Sequence, residues 1–333
     1  MRGPHNIFRL IRTGATLERT GAMNVILDAY NAPWGVRLGA KVLGWPFQWL
    51  GYKGDTTMPP ATRALTALGP AYIKFGQILS TRPDVVGEEL AVQMRVLQDK
   101  LPPFPMADAK QMIEAELEQP LERLFSEFSE PVAAASIAQV HRGKLISDGS
   151  NVAVKVLRPG IEKAFRRDID AFYFAARMIE TLAPSARRLR PLDVIAHFEG
   201  VVMGELDLRL ESSAAGEFAA NTEADLGFQL PKINWNLSGK NVMTMDWAEG
   251  ISAGDNAALD AAGHDRRKIG ERILQLFLSH ALRDGFFHAD LHQGNIKVAA
   301  NGDVIAYDFG IMGRIDEYTR RVYAEILFGF IRR

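Results

Sequence analysis

The sequence predicts an α+β protein with two lobes, and three observations carry that prediction. Helix-periodic apolar residues dominate residues 59–130. Two strand-type runs, 137–146 and 151–157, follow and join through Ser147-Asp148-Gly149-Ser150, a hairpin composition. After long helical patterns at about 160–183 and 191–220, a short hairpin of Ile296–Val298 and Val304–Tyr307 surrounds Asn301-Gly302. Helices, then a small β-rich unit with helices, then a helical unit with one hairpin is an α+β order rather than alternating β and α.

The first 53 residues read as a helical, basic segment. They carry seven Lys or Arg against Glu18 and Asp28, a net charge of +5. Trp34, Trp45 and Trp49 lie there beside Phe47 and Tyr52. Aromatic rings mixed with cations suit a membrane interface with anionic lipid. They equally suit a helix that packs its aromatic face on the rest of the protein. Gly69-Pro70 starts a helix bearing Tyr72, Phe75, Ile78 and Leu79, and Pro102, Pro103 and Pro105 separate it from another helical run through Leu117. A strand pair is expected near 231–235 and 241–246, and a helix at about 265–283 leads into Phe286-Phe287-His288. The last residues, Tyr318 to Arg333, again have helical spacing and stop without a cap, as a shortened chain would.

Composition excludes several functions. Lys plus Arg is 39 against 40 Asp plus Glu, so the chain lacks the charge of a nucleic-acid binder. With no cysteine, disulfides, thiolate zinc sites, cysteine nucleophiles and iron–sulfur clusters are excluded. No charge-free apolar run reaches the 18 or so residues of a spanning helix.

Three motifs carry chemistry. Val152-Ala153-Val154-Lys155 ends an apolar strand on a lysine, which is costly unless it meets an anion. In His288-Ala289-Asp290-Leu291-His292-Gln293-Gly294-Asn295, Asp290 and Asn295 have the spacing of a phosphoryl-transfer loop, an Asp near the acceptor hydroxyl and an Asn on a metal. His288, Asp290 and His292 could instead be metal ligands on one face of a strand. Asp308-Phe309-Gly310 then follows the hairpin, 18 residues after Asp290, where a phosphate-bridging metal ligand belongs. Lysine strand, loop and Asp-Phe-Gly in this order predict a protein-kinase-like fold.

Over roughly residues 60–315 the chain resembles the UbiB family of atypical protein-kinase-like proteins, also called aarF-domain-containing kinases. Ala133-Ala134-Ala135-Ser136 matches the alanine-rich loop that replaces the usual glycine-rich loop, Lys74-Phe75-Gly76-Gln77 the Lys-x-Gly-Gln signature, and Glu205-Leu206-Asp207 the Glu-x-Asp motif. The resemblance implies a kinase-like fold with a helical N-terminal extension packed over the active cleft. It divides the chain into a basic aromatic segment at 1–58, a helical extension at 59–130, an N-lobe with inserted helices at 131–247 and a shortened C-lobe at 248–333. Lys74, Gln77, Glu205 and Asp207 would form a regulatory lid, with the two acids read as lying in one long helix that also carries Glu211.

Further expectations follow from the resemblance. Ala133, Ala134, Ala135 and Ser136 would cover the nucleotide, although small-residue packing also explains them. Lys155 would hold phosphate and pair with Glu211, with Glu199 as fallback. Backbone groups at Met245 and Trp247 would meet the base. Asn295 and Asp308 would hold Mg2+, and Asp290 would orient the nucleophile. Gln139 and His141 read simply as polar positions of a hairpin. The implied function is an ATPase or atypical kinase binding ATP or ADP in ubiquinone (coenzyme Q) biosynthesis. Implied partners are anionic membrane lipid, quinone precursors and other proteins of that pathway, and nucleic acid is not among them. The implied place is the cytoplasmic face of a bacterial membrane, or the matrix face in a mitochondrion. Family members generally continue into a longer C-terminal region, often with membrane-spanning helices. The histidine-containing loop also resembles those of small-molecule kinases, and a nucleotide-gated lipid-binding scaffold without significant catalysis is a third reading.

Overall fold

Contacts along the chain divide the protein into two units, each drawn from three stretches of sequence. The first comprises Met1–Pro103, Ala134–Ala138 and Arg158–Leu206, and the second Phe104–Ala133, Gln139–Leu157 and Asp207–Arg333. This computed structural model describes residues 6–95, 97, 102–182 and 184–332, side chains 40, 43, 45, 182 and 184–186 excepted.

The first unit is helical. Ile7–Thr20, Ala22–Ala29, Pro60–Leu68, Pro70–Ser80 and Glu88–Arg95 are its main N-terminal helices, and Ile161–Leu182 and Pro191–Glu205 complete it. Gly69 holds a φ of +111°, which glycine tolerates without a Cβ penalty, and Pro70 opens the next helix, where its missing N–H costs nothing. Ile73, Leu90, Ala91, Met94 and Leu97 form a buried cluster with Ala61 and Val86. Gly76 lies against it so closely that a Cβ would stand 2.5 Å from side-chain carbons of both Leu65 and Leu97. Tyr72, Phe75, Phe172 and Phe198 pack ring on ring at centroid separations of 4.8–5.9 Å, within the range of favourable aromatic pairs.

Near the N-terminus, Trp34 and Trp49 are 79% and 74% exposed. Phe8, Tyr30, Val36, Leu38, Val42, Phe47 and Tyr52 are exposed as well. Arg2 and the Trp45 side chain lie outside the described residues. Arg9 pairs with Asp168, Arg37 with Asp28, and the Arg19 guanidinium donates to the Gly51 carbonyl at 2.7 Å. Arg12 sits over the Phe8 and Tyr52 rings. Among the described residues, no helix is long and apolar enough to cross a membrane.

The second unit holds the sheets. Phe125–Ala134, Ala138–Leu145, Asn151–Leu157 and Val242–Asp246 lie in that order in a four-stranded sheet. Val152, Val154, Val156 and Val242, with Phe125 and Leu145, form a buried cluster with Ile113 and Leu121. The Phe125–Ala134 strand departs from the helical reading of 59–130. Phe125 and Phe128 are three apart and imitate a helical period, but sheet pairing decides the conformation. The strand expected at 231–235 reduces to one bridge from Ile233 to Met245, followed by a 3-10 turn at Trp235–Leu237.

A second sheet orders Phe228–Gln229, Val304–Ala306, Ile296–Val298 and Ile251–Ser252, and contains the expected hairpin, with Lys297 opposite Ile305. Phe286–His288 pairs antiparallel with Met312–Arg314. The helix Arg266–Ser279 passes into a π turn at His280–Asp284, and Glu317–Ile331 forms the last helix.

Candidate active site

Lys155 lies on the strand that faces Val242–Asp246, opposite Met243. Its ammonium donates to both carboxylate oxygens of Glu211, at 2.7 and 2.8 Å. Glu211 comes from the first turn of the Leu208–Thr222 helix. The single helix expected over 191–220 is broken: Glu205 ends one helix and Asp207 caps the next, accepting from Arg209 N–H. A short carboxylate at this point satisfies a helix N-terminal donor better than it continues a helix. Glu199, the fallback partner for Lys155, accepts instead from the Tyr173 hydroxyl at 2.8 Å.

Burial pushes the Glu211 carboxyl up from its ordinary value; the Lys155 ammonium opposes this and the Asp308 carboxylate adds to it. Asp308 Oδ1 stands 3.9 Å from Lys155 Nζ and accepts from Gly310 N–H. Phe309, fully buried with Ala215, Phe218 and Phe286, anchors the turn that presents Asp308.

His288 ties the loop of Asp290 to that turn. Its Nδ1 accepts from Asp290 N–H at 3.1 Å and its Nε2–H donates to the Asp308 carbonyl. Burial holds its pKa below the ordinary histidine value, which suits this neutral tautomer. Both ring nitrogens are therefore spent, which removes His288 from the alternative metal cluster with Asp290 and His292. Among the described residues, no group of three or more His, Asp or Glu is placed to hold a metal ion by itself. His288 was not assigned this bridging role from the sequence; its place at a strand end, two residues before Asp290, was the available signal.

Asn295 donates its Nδ2 to the Asp290 carbonyl at 3.1 Å, which leaves the amide oxygen as its ligating atom. That oxygen and the half-exposed Asp308 carboxylate are hard donors of the kind Mg2+ takes together with phosphate oxygens and water, and Lys155 supplies the cation beside them. The donor set fits Mg2+ and nucleotide. Asp290 is exposed, with His292 Nε2 3.8 Å from its Oδ2.

At the other end of the lysine strand, Met245 is buried and pairs with Ala153 and Ile233. Trp247 donates its backbone N–H to Asn151 at 3.0 Å. That donor, expected to face a base, is occupied by the sheet.

Of the remaining predicted residues, Ala133 and Asp207 belong to the second unit and the others to the first. Ala133 and Ala134 close the Phe125–Ala134 strand, and Ala135 N–H donates to Ala138 at 2.8 Å. The Arg158 guanidinium donates to the Ala135 carbonyl at 2.9 and 3.2 Å, a fastening that sequence reasoning missed. Ser136 is fully buried, and its hydroxyl has no hydrogen-bond partner among the described residues. Lys74 reaches Glu205 at 2.8 Å. The other two expected lid residues point elsewhere. Gln77 donates to the Leu97 carbonyl, and Asp207, beyond the helix break, pairs with Arg209 at 2.6 Å.

The family model of the ABC1 atypical kinase-like domain matches residues 96–333. The chain belongs to this family. Its similarity to curated relatives extends further along the sequence. A protein of Marinobacter nauticus named "Probable protein kinase UbiB" is 41% identical over 81% of this chain and 50% of its own length. A protein of Shewanella baltica with the same name is 38% identical over 100% of this chain and 60% of its own. This chain thus spans between half and two thirds of these relatives. Among solved structures, Mycobacterium tuberculosis Rv3197 in complex with erythromycin matches with a TM-score of 0.54 and 30% identity, over 72% of this chain and 60% of that one. The fold is accordingly kinase-like, as the order of the motifs predicts.

Proposed function

We propose that this chain binds Mg2+ with ATP or ADP and acts as an ATPase or atypical kinase at a membrane, in the service of ubiquinone biosynthesis. The observation that carries the proposal is the Lys155–Glu211 pair with Asp308 at 3.9 Å from the same ammonium. A lysine fixed by a buried carboxylate beside a second, half-exposed carboxylate is arranged to receive polyphosphate and its cation.

Lys155, oriented by Glu211, takes the inner phosphates. Asp308 and the Asn295 amide oxygen hold Mg2+, which when bound neutralises charge on the phosphate oxygens. Asp290, its loop tied by His288 and Asn295, orients the attacking water or hydroxyl. The Ala133–Ser136 loop takes the place of a glycine-rich loop by its position before the lysine strand, a reading that rests on the family. The quinone role rests on the same basis and on the names of the relatives, and so does a location on the cytoplasmic face. The exposed Trp34 and Trp49 favour lipid contact by the N-terminal segment.

The test is ADP and ATP binding with and without Mg2+, followed by phosphate release with and without anionic liposomes and a phenolic quinone precursor. Mg2+-dependent binding and release are expected. Absence of nucleotide binding overturns the proposal. Binding to nucleotide and liposomes without release selects the scaffold reading, and phosphate transfer to small hydroxyl compounds selects the small-molecule kinase.

A further inference from the structure

Ile296 and Val298 are buried on one face of their strand, so Lys297 projects from the other, two residues after Asn295 in the chain. Its ammonium donates to the Ala248 carbonyl at 2.8 Å. It also lies 5.0 Å from the centre of the Trp247 ring and 5.6 Å from that of Tyr307. Trp247 and Ala248 directly follow the strand of Met245, which pairs with the strand of Lys155, and Tyr307 directly precedes Asp308. The ammonium therefore sits where the end of the lysine sheet, the strand that follows Asn295 and the residue before Asp308 converge.

This is an expensive place for a lysine. Burial lowers its pKa; the Glu249 carboxylate opposes that and the Arg142 guanidinium adds to it. Glu249 is itself 73% exposed and stands 3.5 Å from Arg142. The close partners of Lys297 are thus a carbonyl and two π faces, all neutral, which offset desolvation less than a carboxylate does. An apolar residue would fill the position at lower cost. Meanwhile the backbone donor of Trp247 is consumed by Asn151. Lys297 restores a donor to this end of the site, and the Ala248 carbonyl beside it is an acceptor. A donor and an acceptor 2.8 Å apart complement the edge of adenine, where an amino donor adjoins acceptor nitrogens.

We propose that Lys297 is a specificity-determining residue whose ammonium reads an acceptor nitrogen on the base of the bound nucleotide. The inference rests on the nucleotide-binding reading above, and the experiment separates the two. Affinities for ADP, 1-deaza-ADP and 7-deaza-ADP are measured with the wild-type chain and with Lys297→Met, which keeps length and removes the charge. The wild type is expected to bind one deaza analogue about tenfold or more weakly than ADP, the scale of a hydrogen bond to a charged group. Lys297→Met is expected to bind ADP more weakly by a similar factor and to treat ADP and that analogue alike. Loss of discrimination is the informative readout, because a purely structural lysine would lower all three affinities together and leave their ratios unchanged. Equal wild-type affinity for all three nucleotides, or wild-type ratios in the variant, overturns the assignment while leaving nucleotide binding intact. A wild type that binds no nucleotide overturns both.

Discussion

Lys74 Nζ stands 2.8 Å from the Glu205 carboxylate, with the two side chains only 14% and 12% exposed. Cutting such a pair on one side leaves a charge in a poorly hydrated place. Lys74→Ala should therefore destabilise the protein by about 3–5 kcal/mol. Glu205→Gln in the same background should recover part of the loss. Chemical denaturation of the two single variants and the double variant gives the coupling energy. A coupling near zero would reduce the pair to a surface contact, for which a change within about 0.5 kcal/mol is the norm.

Asp308 and Asp290 should separate binding from turnover. Asp308→Asn removes the carboxylate beside Lys155 and should abolish the Mg2+ dependence of nucleotide affinity. Asp290→Asn should leave affinity nearly unchanged and lower turnover by about 100-fold or more, the usual scale for general acid–base groups. Calorimetric titration and phosphate release check the two halves. Full turnover by the Asp290 variant removes its assigned role.

Buried histidines should make stability acid-sensitive. His141 is fully buried; its Nδ1–H donates to the Ser129 carbonyl, its Nε2 accepts from Gln139, and Phe128 stacks on the ring. Gln139 in turn clamps the Phe104 backbone. Burial lowers the His141 pKa; the bond to Ser129 and the charge of Glu130 oppose it. Below the unfolded value near 6.5, the unfolded chain binds the proton more readily than the folded one, so stability falls as pH drops. His141→Gln should flatten that slope below about pH 6.5. Unfolding midpoints across this range test it, and parallel slopes for variant and wild type would contradict it.

The N-terminal surface should contribute to lipid binding. Arg37 is committed to Asp28, so Lys41 and Lys53 are the better charges to reverse. Trp34→Ala with Lys41→Glu and Lys53→Glu should weaken co-sedimentation with anionic vesicles, and salt should mimic the charge reversals. Equal sedimentation of variant and wild type would assign these side chains to another role.

The lysine strand, the Asp290–Asn295 loop and Asp-Phe-Gly were legible because each joins a short motif to a strand or turn that the local pattern also specifies. The Lys155–Glu211 contact was accessible only through resemblance, since 56 residues separate the partners and no local rule spans them. The break at Asp207 was hidden because both sides of it are helix-forming, and only the cap shows where one helix ends. Gln77 and Asp207 were placed with Lys74 on motif grounds, yet each has a nearer partner, Leu97 and Arg209. The Phe125–Ala134 strand was lost to an accidental helical spacing. Arg158 and Lys297 carry no motif at all, and their roles arise from tertiary placement.

The chain enters and leaves each unit repeatedly, with the first unit completed only by residues 158–206 and the second opened already at Phe104. A ribosome that has released residues 1–103 has not yet made all of the first unit. Completing it requires closing a loop across the intervening sheet residues, an entropic cost that grows slowly with loop length. A stop after residue 103 would therefore leave the first unit without residues 134–138 and 158–206. For protein engineering, no single start or stop codon yields one unit by itself: a chain begun at Phe104 holds all of the second unit and also carries residues 134–138 and 158–206 of the first.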